Sequence, residues 1–441
     1  MEPLEENIYK ITWPIFVEML FFILLGTVDT IMLSGYSDTA VGSVGISNQI
    51  LFLFGILVNI IAIGIGVVAA QYLGAKQVQN AKDTIVTGIF GNLIIGVVLS
   101  LIIIVFGKSL LILVNTDSAL LDDSVIYLKI VGYSLVFISL RVALSTGFRS
   151  FSKPKIVMII MIVGNVINVV LNAILIYGLF GAPSLGVAGA AIGTLTSRIV
   201  MVLLLVIAAY KMLGIKIHKI RFHIVQLKKI LYIGIPAAAE NLMWNIAQVF
   251  IVAIVNTVSV EAIIARTYIL TILSFIFIFS LSLATGNSII VGYHIGDKEH
   301  DKAYHHTLKT IRVSFFFVII ITILLNIFAK EVIGLFTDDE TIIEMARSVL
   351  YFAVFIEIGR AMNLVYISAL RTAGDTVYPA IIAVISMFGI AVVLSYVFAI
   401  TLGMGIVGVF LATMIDELFR GSMMALRWYR KRWTVIRLIE E

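Results

Sequence analysis

The stretch Thr84-Ile-Val-Thr-Gly-Ile-Phe-Gly-Asn-Leu-Ile-Ile-Gly-Val-Val-Leu-Ser-Leu-Ile-Ile-Ile-Val-Phe-Gly107 carries no charged side chain. As a helix it reaches about 36 Å, enough to cross the roughly 30 Å hydrocarbon layer of a bilayer. Within it, Leu93 to Val105 does not alternate apolar with polar residues, which excludes a strand of a transmembrane barrel. Working outward, comparable runs recur near 11–34, 46–73, 84–107, 121–148, 156–179, 186–210, 231–257, 262–295, 310–329, 342–370, 377–401 and 404–426. The chain is therefore expected to be an all-α integral membrane protein with twelve transmembrane helices. Composition agrees: 61% of residues are hydrophobic and 13% charged, against about 25% charged in a soluble domain. A soluble enzyme is excluded, because so apolar an exterior is tolerated only in lipid. There are no cysteines, which removes disulfides, thiolate catalysis and Cys-ligated metal. Met1 to Lys10 is acidic and lacks both a basic n-region and a small-residue cleavage site, so no removable signal peptide is expected.

Sorting the 31 Lys and Arg residues by loop places 23 on the side of the N-terminus and only Lys108, Arg266, Lys330 and Arg347 on the other. Basic residues collect in cytoplasmic loops, so both termini are expected in the cytoplasm, with the protein in the plasma (inner) membrane. Those clusters also account for the formal charge of +5, and no nucleic-acid partner is expected. The chain repeats internally. Pro14-x-x-x-Glu18 returns as Pro236-x-x-x-Glu240, Gln71-Tyr-Leu-Gly-Ala-Lys76 as Tyr293-His-Ile-Gly-Asp-Lys298, and Arg149 as Arg371, all displaced by 222 residues. Gly186-Val-Ala-Gly189…Thr194 matches Gly405-Ile-Val-Gly408…Thr413 at a displacement of 219. Each half holds six spans and enters from the same side, so a pseudo-twofold along the membrane normal relates two six-helix bundles. The expected organisation is an N-lobe, 1–210, a basic cytoplasmic linker, 211–230, with His218 and His223, and a C-lobe, 231–441, ending in a basic tail. Doubled bundles suit a secondary transporter working by alternating access. A channel would need a filter-like loop, and an intramembrane enzyme a constellation such as HExxH or a Ser/Lys pair; neither is present.

Pro14…Val28-Asp29-Thr30-Ile31-Met32, Gln71-Tyr-Leu-Gly74, Gly186-Val-Ala-Gly-Ala-Ala-Ile-Gly-Thr194 and Leu370-Arg-Thr-Ala-Gly-Asp375 stand in order across nearly the whole chain. Together they resemble the multidrug and toxic compound extrusion (MATE) family. The resemblance implies a multidrug efflux antiporter: a monomer that exports organic, often cationic, compounds against inward H⁺ or Na⁺ by alternation of two lobes. It also implies that Asp29 matches the first-helix aspartate used in cation coupling. Asn168 matches an asparagine of DinF-type members, although the aspartate their archaeal relatives carry four residues later is Asn172 here. The seventh-helix glutamate of NorM-type members falls at Trp244, and their tenth-helix aspartate at Arg360. The pattern is thus closer to the DinF-like bacterial members than to NorM, and it favours H⁺ over Na⁺.

An ionisable group at the bilayer centre costs at least about 2.5–3.5 kcal/mol, so each needs a partner, a cavity or a function. At ~1.5 Å per residue, Asp29 lies about 28 Å beyond Lys10 and Asn172 about 25 Å beyond Lys155, the same level. Asn165, Asn168 and Asn172 form one polar stripe at i, i+3, i+7 on the fifth span. Facing Asp29, that stripe supplies hydrogen bonds and a polar wall. Burial disfavours the carboxylate's charge while amide donors favour it, so proton uptake depends on which side is hydrated. These four residues are the expected cation-coupling site.

Glu240, Asn241, Asn245 and Gln248 on the seventh span, with Glu357 and Arg360 on the tenth, are candidates for a substrate or secondary cation site. Glu357 and Arg360, three apart, are alternatively a mutual ion pair. Glu18 is either a gate or a structural group, and Arg141 and Arg198 serve gating or inter-helix hydrogen bonding. Asp416 and Glu417, within a turn of Arg420, are expected to make only local pairs. His294, His300, His305 and His306 lie among Asp297, Lys298, Glu299 and Lys302, a solvated loop rather than a metal site, and neither metal nor cofactor is expected. A lipid-linked oligosaccharide flippase is the alternative function: a cluster of Arg141, Arg198 and Arg360 would bind an anionic pyrophosphate lipid, whereas facing carboxylates in a cavity favour drugs.

Overall fold

A computed structural model describes residues 7–215 and 222–439; His218 of the expected linker lies outside them. Among these residues the structure is helical, with no strand. The order is α1 (Ile8–Ser34), α2 (Asp38–Gly74), α3 (Val78–Leu113), α4 (Ser118–Tyr133), α5 (Leu135–Ser150), α6 (Pro154–Tyr177), α7 (Gly186–Ala208), α8 (Ile224–Asn256), α9 (Val260–Gly296), α10 (His300–Ile327), α11 (Ala329–Gly334), α12 (Glu340–Leu350), α13 (Ala353–Thr372), α14 (Val377–Ser386), α15 (Val393–Tyr396) and α16 (Gly405–Tyr429). Ten described helical segments are long and apolar enough to cross a membrane, and α4 with α5 makes an eleventh that bends by 43°. The twelfth, α16, has the length but carries Asp416, Glu417 and Arg420 in its middle.

Three expected spans are more broken than their hydropathy suggests. Residues 121–148 form two helices meeting at Ser134, and 342–370 two helices meeting at Tyr351 and Phe352. The run 377–401 alternates α-helix with π-helical segments at Met387–Val392 and Val397–Thr401. Hydropathy registers apolarity and not hydrogen-bond phase, so it reads through such breaks.

The repeat is written into the backbone. Ser37 caps α2 by accepting from the Ala40 N–H at 3.1 Å, and Ser259 caps α9 through Ala262 at the same distance. Lys76 and Lys298, the last residues of the repeated loop motif, both turn through the left-handed region at φ 61° and 62°. Gly186 and Gly405 open α7 and α16 at φ 51° and 56°, a conformation that glycine adopts without strain.

Packing divides the chain into two compact units. The first is Trp13–Gly234; the second contains the described residues up to Thr12 and from Ile235 onward. In the first, Gly64 on α2 takes the backbone of Ile230 at a separation no side chain would permit. In the second, Gly286 on α9 receives the side chains of Thr12 and Ile8, a Cβ there lying 2.7 Å from Thr12 Oγ1. These glycines, and their isoleucine partners Ile8 and Ile230, are again 222 residues apart. The first residues of α8 therefore belong to the first unit, and those of α1 to the second.

Candidate functional site

The first unit holds Asp29 in amides. Pro154 opens α6, where its missing N–H costs nothing, and the helix then presents Asn165, Asn168 and Asn172 on one buried face. Asn172 Nδ2 donates to Asp29 Oδ1 at 2.7 Å. Asn168 reaches the same group: its oxygen accepts from Asn172 Nδ2 at 3.2 Å, while turned over its nitrogen donates to Asp29 Oδ1 at 2.9 Å and its oxygen accepts from the Thr194 N–H at 3.2 Å. Turned over, the nitrogen also stands 3.2 Å from the Asn172 nitrogen, donor against donor, whereas in the first orientation it donates to Thr194 Oγ1 at 3.4 Å. Asn165 stands apart from the carboxylate and donates to the Phe21 carbonyl of α1 at 2.9 Å. The structure thus brings Asp29, Asn168 and Asn172 together and uses Asn165 to fasten α6 to α1.

Small residues make this possible. A Cβ at Gly193 on α7 would collide with Asn172 Oδ1. Asp29 itself is half-buried, and with Oδ1 taken by amides, Oδ2 is the oxygen open to a proton. The Arg198 guanidinium and the Tyr127 phenol lie within electrostatic reach of Asp29. Arg198 makes no direct ion pair with it among the described residues; its Nη1 donates to Ser134 Oγ at 2.5 Å, in the break between α4 and α5.

Glu18 and Glu240 each follow a helix-interior proline by one turn, and each meets an arginine. Arg149 Nη2 lies 2.5 Å from Glu18 Oε1, and Arg371 Nη2 lies 2.5 Å from Glu240 Oε2. Both pairs tie the first long helix of a unit to its fourth crossing segment. Sequence reading noted the repeated arginine without joining it to the repeated glutamate, although their shared displacement was the available signal.

The second unit gathers its other charges into a network. Glu357 and Arg360 are paired, and Arg360 Nε also reaches Glu417 Oε1 at 3.5 Å. Asn363 Nδ2 donates to Glu417 Oε2 at 3.2 Å. Arg420 Nη2 bridges Glu417 Oε1 at 3.1 Å and Asp416 Oδ2 at 2.6 Å, and Ser386 Oγ donates to Asp416 Oδ1 at 2.5 Å. Asp416 and Glu417 thus do more than pair locally: buried at 3% and 6% exposure, they link α16 to α13 and α14. Hydrocarbon forced this, since a carboxylate there must find every available donor. Asn363 and Ser386, absent from the sequence reading, complete the cluster. Glu240 feels Arg420, but Asn241 is exposed, Asn245 bonds back to the Asn241 carbonyl at 2.8 Å, and Gln248 accepts from Arg266 at 2.8 Å. The seventh-span stripe is therefore not gathered with Glu357 and Arg360.

An apolar groove of about 470 Å³ lies in the second unit between Phe250, Ile254 and Thr257 on α8 and Val393, Tyr396 and Val397 around the π-helical breaks. Among the histidines, His294 Nδ1 lies 3.1 Å from Glu299 Oε2 and His300 packs edge-on against Trp433. Glu299, between α9 and α10, has its carboxyl held below the usual range, chiefly by the Lys302 ammonium 2.6 Å away and then by His294.

The MatE family model matches residues 14–174 and again 236–397, one block in each half. "Uncharacterized transporter YisQ" of Bacillus subtilis (strain 168) is 34% identical over 97% of this chain and 94% of its own length. "Probable multidrug resistance protein NorM" of Thermotoga maritima is 25% identical over 98% of this chain and 93% of its own. Among solved structures, one described as MATE in the bent conformation superposes with a TM-score of 0.89 at 21% identity, covering 97% of this chain and 95% of that one. A MOP superfamily transporter from Pyrococcus furiosus, described as having a binding pocket of reverse polarity, superposes at 0.87 with 20% identity, covering 96% and 95%.

Proposed function

Because the chain belongs to the MatE family, whose members are membrane transporters and not enzymes, we propose that it exports small organic, often cationic, compounds in exchange for protons, with Asp29 as the coupling group. In this reading the twelve spans cross the plasma membrane with both termini cytoplasmic, and the polypeptide works as a monomer by alternating access. The observation that carries the reading is the amide cage on Asp29. Neutral amides hold the carboxylate in place without cancelling its charge, so a proton arriving on Oδ2 changes the net charge of the pocket by a full unit. That change weakens the pocket's attraction for a cationic substrate, which is the competition that exchange requires.

The donor set suits a proton better than sodium. A hard cation needs converging oxygens, whereas Asn172 directs an N–H group at Asp29. The flippase alternative is weakened because Arg360 already bridges Glu357 and Glu417, which leaves two of its three arginines. The test is efflux of an organic cation from proteoliposomes with proton and sodium gradients imposed separately. Wild-type protein is expected to respond to the proton gradient, and Asp29→Asn to lose about tenfold or more of that response, as when an essential proton carrier is removed. Full proton-driven export by folded Asp29→Asn, or a response to sodium alone, overturns the proposal.

A further inference from the structure

One face of α10 changes character along its length. Phe316, Ile320, Ile323 and Ile327 are exposed, and their helical spacing makes them a single apolar face turned to acyl chains. The repeat copies this part: 222 residues earlier, Ile94, Val98, Leu101 and Val105 on α3 are exposed in the same way. Toward the start of α10 the same face carries exposed Lys302, His305, Lys309 and Arg312, which continue the spacing. Their counterparts on α3 are Asn80, Asp83, Thr87 and Phe90, with no basic residue among them. In the first unit His223 meets this end of α3: its backbone N–H donates to Thr87 Oγ1 at 3.3 Å, and its ring lies 3.8 Å from Asp83. The second unit has thus added positive charge to a lipid face that the first unit leaves without it.

The tail after α16 closes on the same place. Lys431 turns through the left-handed region at φ 50°, and Trp433 then stacks on Trp428 with ring centroids 4.2 Å apart and donates to its carbonyl at 3.2 Å. Lys431 Nζ donates to Asp301 Oδ1, in the first turn of α10, at 2.7 Å, which brings its exposed neighbours Arg430 and Arg432 to the charged end of the face. The acids there are already taken, Asp301 by Lys431 and Glu299 by Lys302 at 2.6 Å. The side chains of Lys309, Arg312, Arg430 and Arg432 make no hydrogen bond or ion pair among the described residues.

We propose that this end of the second unit is a docking surface for anionic phospholipid. Lys309 and Arg312 from α10, with Arg430 and Arg432 from the tail, hold the phosphodiester headgroup, and the acyl chains lie along Phe316 to Ile327. Charge complementarity selects the sign of the headgroup. The unbroken apolar face beyond it selects a lipid over a soluble anion, since long basic side chains at a helix end reach to the headgroup level while their stems stay on apolar surface. The leaflet is the cytoplasmic one in the orientation proposed for the termini, and the assignment needs no particular coupling ion.

The full chain in detergent, titrated with dioleoyl phosphatidylglycerol or dioleoyl phosphatidylcholine and resolved by native mass spectrometry, gives a dissociation constant for the first bound molecule of each. The acyl chains are identical, so the ratio isolates the headgroup. Wild-type protein is expected to prefer phosphatidylglycerol by at least about tenfold, and to lose preference as salt is raised. Lys309→Gln and Arg312→Gln are each expected to lower it about fivefold, the worth of one cation beside an anionic headgroup, and Lys309→Arg to keep it. These side chains are exposed, so the variants are expected to unfold at the wild-type temperature. An unchanged preference in both glutamine variants overturns the surface. So does an equal loss in Lys108→Gln, at the far end of α3, because the preference would then follow total charge and not place. Displacement of bound phosphatidylglycerol by inorganic phosphate at equal concentration also overturns it, and assigns the cations to a free anion.

Discussion

The two units share one anchoring device and then diverge in how they treat charge. Glu18 with Arg149 and Glu240 with Arg371 are the same ion pair copied 222 residues along, each at 2.5 Å. Beyond it, the first unit leaves Asp29 among neutral amides, whereas the second locks Glu357, Glu417 and Asp416 to Arg360 and Arg420. A proton landing on an amide-held carboxylate breaks no ion pair. In the second unit a proton lands beside a guanidinium instead: Glu357 Oε1 is paired with Arg360, and its Oε2 is buried without a partner. With Asp29 as the proposed coupling group, the contrast pairs proton exchange with the neutral surroundings of the first unit and cohesion with the ion pairs of the second.

The largest expected effect tests that division directly. Arg420→Met removes the cation that bridges Asp416 and Glu417 and leaves two buried carboxylates short of a partner, a loss of about 3–5 kcal/mol in stability. Asp29→Asn, a neutral near-isostere at a half-buried site, is expected to cost about 1 kcal/mol while removing proton-driven export. Thermal unfolding and efflux measured on the same preparations read both quantities. If Arg420→Met unfolds normally but loses coupling, the roles of the two units are reversed.

A smaller effect concerns what the units have in common. Arg149→Gln and Arg371→Gln each strand a buried glutamate, and with the arginines partly exposed the cost is about 2–3 kcal/mol apiece. Because the pairs match in geometry, the two losses are expected to agree within about 1 kcal/mol, by denaturant or thermal unfolding. Unequal losses would show that one copy does work beyond anchoring.

The membrane class, the doubled pattern and the level shared by Asp29 and Asn172 were legible in sequence because each is a periodicity or a count along the chain. Helical spacing placed the asparagine stripe on one face, and the repeat displacement aligned Lys76 with Lys298. The rest needed three dimensions. That Asn165 fastens a helix while Asn168 and Asn172 hold a carboxylate depends on the rotation of α6 against α1, which spacing does not encode. The reach of Asp416 and Glu417 to Asn363 and Ser386 likewise depends on which neighbours α16 meets. The breaks at Ser134 and in the π-helical segments were invisible because the runs around them stay apolar on average, and average hydropathy does not register a change of hydrogen-bond phase.

The finest test lies at Gly193, where the cage depends on the absence of one carbon. A methyl group there would occupy the space of Asn172 Oδ1, so Gly193→Ala is expected to push Asn172 off Asp29. The stability cost is about 1–2 kcal/mol, the scale of a hydrogen bond to a charged group. Asn172→Ala should cost about the same and reduce proton-driven export to the same degree. The double variant is the decisive measurement. If the glycine acts through Asn172, shortening the asparagine makes room for the new methyl group, and the double variant behaves like Asn172→Ala alone. Additive losses in unfolding temperature and export, the behaviour of independent sites, would mean that the glycine serves the packing of α7 on α6 and that the cage tolerates its replacement.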